Sequence, residues 1–215
     1  MVDFAGPTGP AATKGSDPMH DLDQGVARFQ RDVFPAKREL FARLAAHHAP
    51  HTLFIGCSDA RVVPELITGC EPGELFVVRT AGNLVPARAP GADGVAASIE
   101  YAVGTLGVRE IVVCGHSGCG AMTALAHGHD LGGAPAVADW LRLADASVAR
   151  TEDAADVPAL VRQNVLAQLA NLATHPSVAR ALARHETTVR GWVFDIATGR
   201  VEELTTTPAG APLAA

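Results

Sequence analysis

At 215 residues and 48% apolar content, the chain suffices for one globular domain with a single sizeable core. A net charge of -6 supplies no basic stripe to follow a phosphate backbone, so nucleic acid is excluded as the expected partner and a small solute is favoured. No apolar run approaches the roughly 20 residues of a membrane span, and the first residues lack the pattern of a signal peptide, so a cytoplasmic protein without a membrane partner is expected.

Residues 1–18 are rich in Gly, Pro, Ala and Thr without periodicity and read as a disordered tail, with Met19 an alternative start of translation. A single domain is expected over 19–207, followed by a flexible tail at 208–215. Leu22, Val26, Phe29 and Val33 recur at helical spacing, and after Pro35 the pattern resumes with Leu40, Phe41 and Leu44. These two amphipathic helices precede any strand, so they are expected to pack on a partner subunit. The runs TLFIG (52–56), LFVVR (75–79) and IVVCG (111–115) are short, almost wholly apolar and separated by helical patterns, which predicts a mostly parallel α/β sheet. Helices are expected within 121–128, 135–145, 157–174 and 177–184. TVRGWVFDI and RVEEL then predict a closing hairpin through Thr198 and Gly199.

Two loops carry chemistry, and each follows a strand, where open α/β sheets bind ligands. FIGCSDARV (54–62) contributes Cys57, Ser58, Asp59 and Arg61, and GHSGCGA (115–121) contributes His116 and Cys119. His116 and Cys119 can grip one metal from a single turn while Cys57 reaches it from the neighbouring strand. Three ligands with an open fourth position mark a catalytic metal, and two thiolates with an imidazole suit zinc over magnesium or calcium, a preference iron shares. Alone, Ser58, Asp59 and Arg61 read as an Asx-turn with a surface ion pair. Beside a metal, a carboxylate held by a guanidinium orients bound water. Cys114 reads as a core thiol, and Cys70, in TGCEPG, as an exposed turn residue. His47, His48 and His51, and the pair His127 and His129, read as solvated. The second loop lacks the features of a phosphate-binding or dinucleotide-binding loop.

Cys-Ser-Asp-x-Arg followed by His-Ser-x-Cys-Gly resembles the β-class carbonic anhydrases. The likeness runs from about residue 22 to 200, through GELFVVRTAGN, SIEYAVGTLGV and NVLAQLANLATHPSV, and with PAVADWLRLAD it is most similar to the members encoded beside bacterial cyanate-degrading enzymes. The resemblance implies a zinc enzyme that hydrates CO2 to bicarbonate, built as a homodimer or larger homo-oligomer whose basic unit exchanges N-terminal helices. It implies Zn2+ on Cys57, His116 and Cys119, an Asp59-Arg61 catalytic dyad, and Asp59 as the fourth ligand of a closed state. Phe76 and Tyr101 match residues of the apolar CO2 pocket, across the dimer interface. Two positions depart from the family pattern: His48 stands where a substrate-binding glutamine is usual, and Ala81 where valine is frequent. At the family's second, non-catalytic bicarbonate site Arg79 is retained, but Phe54 and Phe194 replace a tryptophan and a tyrosine and offer no donor. Bicarbonate regulation is therefore not expected. The rival readings are hydrolysis of a CO2 analogue such as CS2 or COS on the same fold, and a non-catalytic zinc or bicarbonate binder. A zinc deaminase is excluded because its His-x-Glu and Pro-Cys-x-x-Cys are missing.

Overall fold

The computed structural model describes residues 22–207, so the tails expected at 1–18 and 208–215, and Met19, lie outside the described residues. Two compact units divide the chain near residue 48, and each is described by itself.

In the N-terminal unit, α1 (Leu22–Arg28) runs on as a π-helical turn at Phe29–Val33, and a 3-10 turn at Pro35–Lys37 leads into α2 (Arg38–Ala46). The sequence predicts this break, because proline suits the first turn of a helix and no later one. Phe29, Phe34 and Phe41 form a small aromatic cluster with ring centroids 5.5–6.1 Å apart. Even so, no residue of these helices is buried, and Leu22, Val26 and Val33 stand exposed.

The second unit holds a five-stranded sheet of β1 (Thr52–Cys57), β2 (Leu75–Thr80), β3 (Glu110–His116), β4 (Thr188–Phe194) and β5 (Val201–Thr207). Its spatial order is β2-β1-β3-β4-β5, all parallel except the last pair. The hairpin turns through Thr198 and Gly199, as the sequence predicts. Winding from β1 to β2 and then back across to β3 makes the carboxyl ends of β1 and β3 the point where the strand order reverses. Cys57 and His116 are the last residues of those two strands, one position beyond the apolar runs that announced them.

Helices cover the sheet: α3 (Pro64–Thr68), α4 (Gly94–Glu100), α5 (Gly120–Ala126), α6 (Pro135–Leu141), α7 (Asp145–Ala149), α8 (Val157–Ala173) and α9 (Pro176–Ala183). α3 was not legible beforehand, being five residues long and without an amphipathic repeat. Leu53, Ile55, Ile111, Val113 and Val189 form the main core with residues of α4, α8 and α9. Phe54, Val112 and Cys114 pack on the opposite face with Trp192 and Phe194. Burial on both faces is why β1 reads as an unbroken apolar run. α8 lies close on the sheet because Gly115 and Gly191 leave room for it: a Cβ on Gly115 would sit 2.8 Å from Val165, and one on Gly191 2.9 Å from Leu169.

One stripe of α8 is polar, with Asn164 and Gln168 buried and Asn171 half-buried. Asn164 Nδ2 donates to the Gly82 carbonyl (2.9 Å), Gln168 Oε1 accepts from the Val85 N–H (2.9 Å), and Asn171 Nδ2 donates to the Val85 carbonyl (2.8 Å). The 4-then-3 spacing puts these amides on one helical face. They satisfy the backbone of the segment leaving β2, which otherwise would be buried without partners.

Candidate metal centre

Cys57, His116 and Cys119 converge at the carboxyl ends of β1 and β3, with donor atoms all within 4.8 Å of one another. All three are buried, and His116 is fully so. Its Nδ1 stands 3.0 Å from the Ser117 carbonyl oxygen, which can only accept. Nδ1 therefore carries the proton and Nε2 the lone pair. That Nε2 has no hydrogen-bond partner although it is buried. A buried imidazole lone pair facing two sulfurs fits a thiophilic metal, and the carbonyl on the far nitrogen is the usual device for orienting a ligand histidine.

The two thiols divide their roles in the same sense. A hydrogen bond from Cys119 draws the Cys57 thiol well below its usual range, so Cys57 is the one of the pair that ionises first. Cys119, the donor and deeply buried, is pushed up, although the N–H groups of Met122 and Ala121 at the start of α5 counter this. A cation would complete the deprotonation of both. Cys114, by contrast, is pushed up to about 12 by burial and has a core position, as its sequence context predicts.

Asp59 and Arg61 meet beside this donor set. Arg61 Nη2 donates to Asp59 Oδ2 (2.6 Å), while Arg61 Nε and the Arg61 backbone N–H both donate to Oδ1 (2.9 Å each). The Asx-turn and the ion pair therefore coexist. The guanidinium holds the Asp59 carboxyl at about 2, and Asp59 Oδ2 lies 3.9 Å from His116 Nε2. With Oδ1 doubly engaged, Oδ2 keeps a spare lone pair on the side of the donor set. Arg61 Nη2 also reaches the Gly118 carbonyl at 3.1 Å, joining the two loops.

Arg79 spans the base of the first loop, its Nε donating to the Cys57 carbonyl (3.0 Å) and its Nη2 to the Asp59 carbonyl (2.5 Å). Phe54, fully buried, and Phe194 pack in the apolar cluster of Cys114. Ala81 lines a cleft of about 340 Å³ with Ser58, Thr80 and Trp140, and its carbonyl accepts from Trp140 Nε1 (2.9 Å). Phe76 and Tyr101 pair at a centroid distance of 6.0 Å. Phe76 lies four residues before Thr80, the register partner of Cys57, which places it about 13 Å along β2 from the donor set of its own chain. His48 belongs to the N-terminal unit. Sequence reasoning missed Trp140 and the amide stripe. The signal for the stripe was available: Asn164, Gln168 and Asn171 recur at helical spacing among apolar residues.

The carbonic anhydrase family model matches residues 52–201. A carbonic anhydrase of Pseudomonas aeruginosa is 56% identical over 192 residues, spanning 86% of this chain and 87% of that protein. Carbonic anhydrase 1 of Escherichia coli O157:H7 is 50% identical over 189 residues, spanning 85% and 86%. The chain belongs to the β-carbonic anhydrase family. Among solved structures, the β-carbonic anhydrase CcaA superposes with a TM-score of 0.80 at 38% identity, covering 86% of this chain and 93% of that one. A tetrameric β-carbonic anhydrase of Sordaria macrospora does so with a TM-score of 0.73 at 32% identity, covering 86% and 95%. As a carbonic anhydrase, the chain is an enzyme of CO2 hydration, and the Cys57-His116-Cys119 group could hold a metal. Among the described residues, no helix is long and apolar enough to cross a membrane.

Proposed function

We propose that this carbonic anhydrase hydrates CO2 to bicarbonate with Zn2+ held by Cys57, His116 and Cys119, and that Asp59 and Arg61 act as its catalytic dyad. The observation that carries this is the buried, unpartnered Nε2 of His116 within reach of the sulfurs of Cys57 and Cys119. When bound, zinc supplies the Lewis acidity that brings water toward ionisation near neutral pH.

The chain's own residues do the rest. Asp59 is ionised throughout the working range, so Oδ2 can only accept, and it takes the hydrogen bond of the attacking water's O–H. That fixes which lone pair of the nucleophile points at CO2. Arg61 holds the carboxylate by a two-pronged grip, which keeps Asp59 from serving as a fourth ligand and maintains the open state. Arg79 braces the first loop through the Cys57 and Asp59 carbonyls, and the bond from Arg61 to the Gly118 carbonyl joins that loop to the second. CO2 carries no charge to recognise, so apolar walls suffice for it. Ala81 contributes one, and Phe76 and Tyr101 serve the site of a second subunit, since in their own chain they stand away from the donor set.

The exposed apolar residues of α1 and of the following π-helical turn are the surface for that second subunit, in a homodimer or a larger assembly. The four free cysteines fit a reducing, cytoplasmic setting. The test combines stopped-flow CO2 hydration with metal analysis of the same chelator-washed sample. One tightly held zinc per chain with rapid hydration is expected. Tightly held zinc without hydration would overturn the reading.

A further inference from the structure

We propose that His51, Cys70 and Glu74 form a second zinc site, at the amino end of the sheet. Their donor atoms lie within 4.8 Å of one another. The parallel pairing of β1 and β2 creates the cluster: His51 and Glu74 immediately precede the two strands, and the His51 N–H donates to the Glu74 carbonyl at 3.0 Å. Cys70 is brought alongside by the turn after α3, its N–H bonded to the Glu65 carbonyl (3.1 Å).

Two of the three donors are oriented by neighbours. Thr52, which is buried, gives its single hydroxyl proton to Glu110 Oε2 (3.3 Å), so toward His51 Nδ1, 2.7 Å away, it can only accept. In the tautomer that carries the proton on Nδ1, Nε2 keeps the lone pair that a cation needs. Glu110 is in turn held by Arg190 (3.1 Å), so the relay that sets this tautomer is anchored in the sheet. Carboxylate groups behind a ligand histidine are a recurring support of zinc sites. On the other side, Glu74 Oε2 accepts from the Glu71 N–H (2.7 Å), leaving Oε1 to bind.

The donor chemistry selects the ion. A thiolate and an imidazole with one carboxylate suit zinc and are poor ligands for magnesium or calcium. His51 and Glu74 are exposed and Cys70 is half-buried, so water completes the coordination and the metal exchanges with solvent. The six residue steps from His51 to Cys57 put about 20 Å between this cluster and the buried one, so the two bind independently.

The experiment is equilibrium dialysis of the full chain against buffered Zn2+, with metal counted per chain by mass spectrometry and CO2 hydration measured in parallel. Two equivalents are expected for the parent and one for Cys70→Ser and for His51→Gln, each with an unchanged hydration rate. Zinc is expected to slow alkylation of Cys70 by iodoacetamide in the parent, and Thr52→Val is expected to weaken the second equivalent by about 10–100-fold. A count of one in the parent, or a count of two that survives Cys70→Ser, overturns the proposal. Neither result bears on the first zinc, which the chelator-washed sample measures separately.

Discussion

At the carboxyl end of the sheet a cysteine, a histidine and a second cysteine meet out of reach of solvent; at the amino end a histidine, a cysteine and a glutamate meet in the open. Both sets are placed by the ends of β1 and its neighbours, and both have a histidine whose Nδ1 lies within hydrogen-bond distance of an oxygen. What differs is what stands around the donors. The buried set has an ionised carboxylate held beside it by a guanidinium, whereas His51 and Glu74 of the other set are exposed. In our proposals both donor sets select zinc, and depth with a fixed neighbouring charge is what distinguishes the set that supports chemistry.

The largest effects test the donors of the buried set. Cys57→Ser, His116→Ala and Cys119→Ser are each expected to lose the chelator-resistant zinc and essentially all hydration activity, while Cys114→Ser keeps both. Metal analysis beside stopped-flow kinetics checks this, and full zinc in Cys119→Ser would show that depth was credited to the wrong residues.

The neighbouring charge comes next. Asp59→Asn is expected to retain zinc and lose about 10–100-fold in hydration rate, because it removes an orienting group and no ligand. The same residue leaves a mark on stability. Its folded pKa of about 2 lies below the unfolded value near 3.9, so the ionised form contributes stability above about pH 4 that is lost as pH falls toward 2. Thermal melts of the metal-free parent and Asp59→Asn should differ at pH 5 and converge near pH 2. A constant gap across that window would mean that Arg61 does not hold the carboxylate.

How far these features were legible depends on how local they are. Cys57, His116 and Cys119 were readable because each sits at or just past the end of an apolar run, and strand ends in such a sheet converge. Asp59 and Arg61 were readable because two residues of separation suffice for their contact. His51, Cys70 and Glu74 were not, since only the register of β1 on β2 joins them; from sequence, His51 grouped with His47 and His48 instead. The amides of α8 were missed for a related reason. Their helical spacing was visible, but the backbone they serve, 82–86 residues earlier in the chain, was not.

A smaller effect is expected at Arg79. Arg79→Ala removes two hydrogen bonds to the carbonyls of Cys57 and Asp59, and because the side chain is largely exposed the loss is about 1 kcal/mol, a fall in Tm of roughly 2–4 °C. The smallest effect expected is none. Raising bicarbonate at fixed alkaline pH and ionic strength should give ordinary product inhibition only, since Arg79 is engaged on the loop and Phe54 and Phe194 offer an anion no donor. Cooperative inhibition abolished by Arg79→Ala would contradict this.

Folding must bring the segment after β2 onto α8 across 82 residues for the Gly82 bond and 86 for that of Val85. Closing loops this long costs entropy that local contacts do not, so these contacts are expected to form after the intervening strand and helices have condensed. Until then the amides of Asn164, Gln168 and Asn171 are served by water, so this face of α8 gains its full strength in the last stage of assembly. The same late closure delivers Ala81 and Gly82 to the rim of the metal centre. A nascent chain would thus acquire its donor residues well before it acquires the wall that encloses them, and amide exchange at Val85 should report the moment at which that wall is set.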